Sequence, residues 1–222
     1  MQAPDLPLEW RVSPGLTDYA QALREMEARA DAVRAGAAPE LVWLLEHPPT
    51  LTAGTSAREA DLVQPGRFPI HAVGRGGKHT YHGPGQRVGY LVLDLDARGR
   101  DVRRFVHGLE GWLIATLSGL GVAARAEAGR VGIWVDDPAR GEAKIGAIGV
   151  RVRRWVTLHG FALNVTPDLD HFDAIIPCGL AEHQVTSLAA MGVPAGLEAV
   201  DAALQCNFSG FLGSLRTQPN GP

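Results

Sequence analysis

The chain has 222 residues, 45% of them hydrophobic and 20% charged, with a formal net charge of −3. That length buries a full core without disulfide or metal staples, and so ordinary a composition excludes disordered, collagen-like and disulfide-framework proteins. The weakly acidic balance gives no global reason to bind nucleic acid, and no apolar run reaches the length of a membrane span.

Apolar residues at helical spacing, Tyr19, Leu23, Met26, Ala30 and Val33, predict a first helix from about Asp18 to Ala35, capped by Thr17 and ended by Gly36. The continuous apolar run Leu41–Leu45, halted by Pro48-Pro49, reads as a buried strand entering a turn. Ile70–Val73 and Val88–Leu93 read as further strands, and the glycine-rich segment between them is expected to interrupt regular structure. A second helix begins near Asp101 and stops at Gly121, with Phe105, Leu109, Trp112, Leu113 and Leu117 on its core face. Val131–Val135 and Lys144–Arg153 form a predicted hairpin, Val156–Val165 a strand paired with it, and Leu197–Leu212 a last helix. The tail from Arg216 is expected to fray. This order does not alternate as a doubly wound parallel sheet does. It predicts an α+β (mixed α/β) domain, antiparallel-rich mixed sheets flanked by helices, with the whole of 1–222 as a single domain.

Two cysteines, Cys178 and Cys206, show no metal-type spacing and cannot make a disulfide framework. Free thiols, and an N-terminus without a basic then apolar leader, point to the cytoplasm. A lone cysteine is by default an inert buried hydrophobe, and Cys206, beside Leu204 and Phe208 on the last helix, fits that description. Cys178 differs: it stands in Ile176-Pro177-Cys178-Gly179, a stiff loop whose backbone amides are free to face a sulfur or an oxyanion. A nucleophilic thiol, ordinarily of pKa about 8.5, needs a partner that holds it as thiolate. The chain has only two lysines, Lys78 and Lys144, so nineteen of its 21 basic residues are arginine. The histidines and Lys144 are the candidates, and Lys144 is conspicuous because it lies among small and apolar neighbours, Ala143 and Ile145-Gly146-Ala147-Ile148-Gly149. An exposed lysine after a hairpin turn is the competing reading.

The segment Gly74–Gln86 matches neither a phosphate loop nor a strand–G-x-G-x-x-G–helix unit, because Gly85 precedes a strand. It offers instead Arg75, flexible backbone, and Thr80, Tyr81 and His82 before a rigid Gly83-Pro84-Gly85 turn: either a ligand wall or a structural turn. His159-Gly160-Phe161-Ala162 interrupts a strand with a glycine, which often marks close approach of a ligand or another backbone. His79, His82 and His159 lack a closing ligand pattern, so no metal is expected. Arg151, Arg153 and Arg154 form a dense basic cluster, read either as a solvated strand face or as a patch for an acidic protein.

Taken in order, Arg75-Gly76-Gly77-Lys78-His79-Thr80-Tyr81-His82-Gly83-Pro84-Gly85-Gln86, Lys144-Ile145-Gly146-Ala147-Ile148-Gly149, His159-Gly160-Phe161-Ala162-Leu163-Asn164-Val165 and Pro177-Cys178-Gly179, with Val185-Thr186-Ser187-Leu188 after it, resemble the lipoyl(octanoyl) transferases. The motif-bearing region is about 41–188; the stretches to about Glu40 and after Met191 carry no diagnostic motif. Lys78 and His79 stand where that family's pattern tolerates variation. The resemblance implies a biotin/lipoate ligase-like catalytic fold and transfer of octanoyl from acyl carrier protein to a lysine of lipoyl domains. The implied acceptors are those of 2-oxoacid dehydrogenase complexes and the glycine cleavage H protein. By the same resemblance Cys178 is the acyl-thioester nucleophile and Lys144 the residue that lowers its pKa. Arg75, Gly76, Gly77, Lys78, His79, Thr80, Tyr81 and His82, then Ala147, Ile148 and Gly149, then Gly160, Phe161 and Ala162, bind substrate, with His159 beside them. No cofactor is implied: thiolate attack on a thioester is nearly isoenergetic and aminolysis to an amide is downhill.

Overall fold

The computed structural model describes residues 7–176 and 184–216; Cys178 and the tail beyond Arg216 lie outside them. The strands are β1 (Leu8–Leu16), β2 (Glu40–Glu46), β3 (Thr50–Ala53), β4 (Ile70–Ala72), β5 (His79–His82), β6 (Gln86–Val92), β7 (Ala124–Glu127), β8 (Arg130–Asp137), β9 (Gly141–Arg153), β10 (Val156–Asn164) and β11 (Gln184–Val185). The helices are α1 (Tyr19–Arg34), α2 (Val102–Gly119) and α3 (Leu197–Ser214). The large sheet runs β1-β2-β6-β10-β9-β8-β7, with β11 beside β9; β4, β3 and β5 make a smaller one. Most pairings are antiparallel, and β1 with β2, β3 with β4 and β11 with β9 are parallel. The expected antiparallel-rich mixed sheet with flanking helices is therefore the observed one. No helix among the described residues is long and apolar enough to cross a membrane.

The two-residue period of a strand sorts the core. Leu41, Trp43 and Leu45 of β2, with Val88, Tyr90 and Val92 of β6, face α1, which covers them with Ala22, Met26, Ala30 and Val33. Val42 and Leu44, with Leu91, face the other way, toward Phe105, Leu109, Trp112 and Leu113 of α2 and Val200, Leu204, Phe208 and Phe211 of α3. Each such side chain taken fully from water contributes about 1.5–3 kcal/mol, so the helices on both faces hold the sheet between them.

The structure departs from the sequence reading at several places. Asp18, not Thr17, caps α1, its Oδ1 accepting from the Gln21 amide at 2.8 Å; Thr17 instead donates its own amide to the Glu46 carbonyl. The glycine-rich segment contains a strand, β5, because its last residues pair with β3. Cys206 is exposed, since α3 turns Leu204 and Phe208 inward and leaves the position between them outside. The N-terminal stretch supplies β1, an edge strand in parallel with β2. Of the basic cluster, Arg153 pairs with Asp31 at 2.6 Å and Arg151 with Glu27 at 3.5 Å, both on α1. Two of its three arginines thus tie sheet to helix.

Candidate active site

β9 and β10, which run through the middle of the large sheet, carry many of the residues singled out from sequence. Gly160 of β10 faces Gly149 of β9 and Tyr90 of β6 in register. A Cβ on Gly160 would stand 2.3 Å from the carbonyl oxygen of Gly89, so only glycine allows β6 and β10 this close approach. Just before it, His159 adopts φ +61°, a region that disfavours non-glycine residues, and sends its amide to the Met26 sulfur at 3.0 Å. Its ring enters a cavity between the sheet and the glycine-rich loop.

That loop is held at both edges. Gly54, Thr55 and Ser56 donate their amides to the carbonyls of Lys78, Arg75 and Gly77, and Gly76 donates to Val150 of β9. Beneath it the buried Arg75 guanidinium donates to the Thr52 carbonyl at 3.0 Å, to Thr52 Oγ1 at 2.7 Å and to the Gly76 carbonyl at 2.9 Å. Arginine's planar fork makes such a triple staple; a lysine's single nitrogen does not.

The cavity, of about 80 Å³, is lined by residues 75–80 and 82, 147–149 and 159–162, together with Lys144. Of the sequence-singled substrate residues, Tyr81 alone is absent from this lining. Alternation along β5 turns it to the other side, where it packs among Phe68, Phe172 and His171 and its hydroxyl shares a hydrogen bond with His171 Nδ1 at 2.7 Å. Tyr19, Val88, Tyr90 and Val131 also line the cavity. Sequence pattern placed Tyr19 on a core helix face and Val88 in a core strand; nothing local signals that a core face opens onto a cavity.

The polar groups around the cavity are imidazoles and phenols, with the Arg75 guanidinium and the ammonium groups of Lys78 and Lys144. Burial, reinforced by Arg75 and Arg151, pushes His159 down to about 3. Burial and the neighbouring His47, Arg75 and His159 push His82 down to about 3 as well, against the opposing bond to Gln86. Burial takes His47 to about 4 despite its bond to the Thr17 carbonyl. Tyr19 is raised by burial to about 12, and burial raises Tyr90 further. Gln86 Nε2 donates to Asn164 Oδ1 at 2.9 Å and to the Tyr81 carbonyl at 3.3 Å, so its Oε1 accepts from His82 Nδ1 at 2.7 Å. His82 therefore carries its proton on Nδ1.

Lys144, 8% exposed, reaches from β9 to the Val131 carbonyl at 2.9 Å and lies 4.9 Å from the Trp134 ring centroid. It also lines a smaller adjoining cavity with Ile175 and Val185. These two residues flank the stretch that holds Cys178. Ile175 bridges Leu62 and Ile176 donates to the Asp61 carbonyl, while Val185 pairs with Lys144 itself. Cys178, the nucleophile expected from sequence, lies outside the described residues.

The cavity is thus walled by β-strand backbone and apolar side chains, with Arg75, Lys78 and Lys144 as its basic groups. The chain belongs to the lipoyl protein ligase A/B catalytic domain family, whose model matches residues 18–209, and within it to the octanoyltransferases. It is 63% identical over 212 residues to the octanoyltransferase of Rhizorhabdus wittichii, covering 96% of this chain and 95% of that protein. It is 64% identical over 214 residues to the octanoyltransferase of Sphingopyxis alaskensis, covering 96% and 98%. The fold is also that of a lipoate-protein ligase A bound with ATP, with a TM-score of 0.71 at 19% identity over 92% of this chain and 86% of that one. A bi-partite lipoate protein ligase from Thermoplasma acidophilum, described with its E2 lipoyl domain, matches with a TM-score of 0.68 at 18% identity over 94% and 84%. At such identities these two structures speak for the fold alone.

Proposed function

We propose that the chain moves octanoyl from the thioester of acyl carrier protein onto Cys178 and from there onto a lysine of a lipoyl domain, acting along its length as one catalytic domain. In the first half-reaction the Cys178 thiolate attacks the donor carbonyl, a new C–S bond forms, and the carrier's thiolate leaves. In the second the acceptor amine attacks, the C–N bond forms, the Cys178 sulfur leaves, and the amine's proton passes to Lys144 as its free base. Energy is conserved in the thioester and no ATP is consumed. The relatives' shared activity supports octanoyl as the acyl group. Lipoyl domains of 2-oxoacid dehydrogenase complexes and the glycine cleavage H protein are the acceptors proposed, and a reducing cytoplasm is the compartment in which Cys178 stays a thiol.

One observation carries this reading: Lys144 shares a cavity with Ile175 and Val185, the residues on either side of the Cys178 stretch, and lines the larger cavity as well. Intact-mass measurement after mixing with octanoyl-acyl carrier protein, without ATP, tests it. A hydroxylamine-labile adduct is expected in the wild type and none in Cys178→Ser. A strict ATP requirement, or an equally labile adduct in the serine variant, would overturn it.

A further inference from the structure

Beyond Lys144 itself, the geometry around its ammonium singles out a second residue. β8 and β9 pair with a bulge: Ile133 faces Gly146 and Trp134 faces Lys144, leaving Ile145 as the extra residue. The bulge puts the lysine side chain on the same face as the Trp134 indole and aims it back along β8 toward the Val131 carbonyl, 2.9 Å from Nζ. Between these two partners lies Gly132, at φ +130°. A Cβ there would stand 2.9 Å from Lys144 Cε, 3.0 Å from Nζ and 2.8 Å from the Gly146 carbonyl oxygen.

We propose that Gly132 is a positioning residue for acyl transfer: its missing side chain is the space through which the Lys144 ammonium passes to reach the Val131 carbonyl. Any larger residue displaces the ammonium from that carbonyl and from the indole face together. The inference rests on the reading that Lys144 serves Cys178, and it assigns Gly132 no contact with donor or acceptor.

Gly132→Ala, assayed per folded molecule by circular dichroism, tests it. A displacement of about 1 Å at a catalytic group costs on the order of a hundredfold in rate. kcat is therefore expected to fall by about that factor while KM for donor and acceptor stays within about twofold. The slow residual acylation of Lys144→Ala, followed by mass, is expected to be no slower in the double variant, because the two residues act as one unit. Trp134→Phe, which adds no backbone strain, is expected to lower kcat in the same KM-independent way, and decides the matter should the alanine variant not fold. A Gly132→Ala enzyme with wild-type kcat, or a loss repeated in full on the Lys144→Ala background, would overturn the proposal. Wild-type turnover by Lys144→Ala alone would instead sink the reading of Lys144 and leave the packing of Gly132 a structural matter.

Discussion

Val185 pairs with Lys144 across the parallel β11–β9 contact, and the amide of Thr186 closes the pair by donating to the Lys144 carbonyl at 3.0 Å. The backbone of the proposed acid–base residue is thus what catches the chain as it leaves the Cys178 stretch. Thr186 is held in turn by side chains: its hydroxyl donates to the buried carboxylate of Asp137, and its carbonyl accepts from Asn164 Nδ2 at 2.9 Å. From Asn164 the network continues through Gln86 to His82. The end of the β8–β9 hairpin, β11 with Thr186 and the glycine-rich wall are therefore one hydrogen-bonded unit.

Asp137→Ala tests that unit. Burial alone would raise the Asp137 carboxyl, but bonds from Thr186, Ala139 and Arg140 outweigh it and hold the group below the usual range. Hydrogen bonds to a charged group contribute about 1.5–3 kcal/mol each, so the variant is expected to lose about 2–3 kcal/mol of stability in urea. The acylation rate of Cys178 is expected to fall with it, because β11 loses its anchor. Unchanged acylation in a folded variant would mean that the Cys178 stretch is held in some other way.

Lys144→Arg separates charge from proton transfer. Arginine keeps a cation near Val131 but does not release a proton at any working pH. Formation of the octanoyl adduct is expected to survive, whereas its passage to the acceptor lysine is expected to slow by about 10²–10⁴, the range of general acid–base catalysis. Single-turnover mass spectrometry resolves the two steps. If both run at wild-type rates, Lys144 has only a structural part.

The helices were legible by period, as Met26, Ala30 and Val33 fall on one stripe of α1, and the central strand β2 by the unbroken apolar run Leu41–Leu45 before Pro48-Pro49. Two of the short strands were not, although Ile70–Ala72 was. Thr50–Ala53 and His79–His82 are too brief to show a period and exist because they pair with each other. The same limit governs the site. Motif order brought residues 75–82, 144–149 and 159–162 to attention. Whether a residue within a motif faces the cavity depends on strand alternation, which turned Tyr81 away, and Gly132 has no motif at all: its role is set by a bulge that only the register of β8 on β9 reveals.

Arg75→Lys is expected to loosen the loop over the cavity. The variant surrenders the fork that binds Thr52 and Gly76 together, and one ammonium cannot span both. A stability loss of about 1–3 kcal/mol, with KM for the octanoyl donor rising more than kcat falls, is the expected pattern. A kcat loss at constant KM would place Arg75 at the reacting atoms instead of in the wall.

The buried imidazoles make stability depend on pH with a definite sign. His47, His82 and His159 are depressed to about 4, about 3 and about 3 from the ordinary 6.5, by burial first. Between about pH 4 and 6.5 the unfolded chain binds their protons and the folded chain does not, so ν_U exceeds ν_N and unfolding free energy rises with pH. Each group contributes at most about 1.4 kcal/mol per pH unit in that window, and nothing above it, where both states are neutral. Urea unfolding at pH 5 and pH 7 is therefore expected to show the protein more stable at pH 7. His47→Gln, which keeps a polar side chain within reach of the Thr17 carbonyl and the Tyr90 hydroxyl, is expected to shrink that difference. An equal or larger difference in the glutamine variant would show that His47 takes up its proton in the folded state.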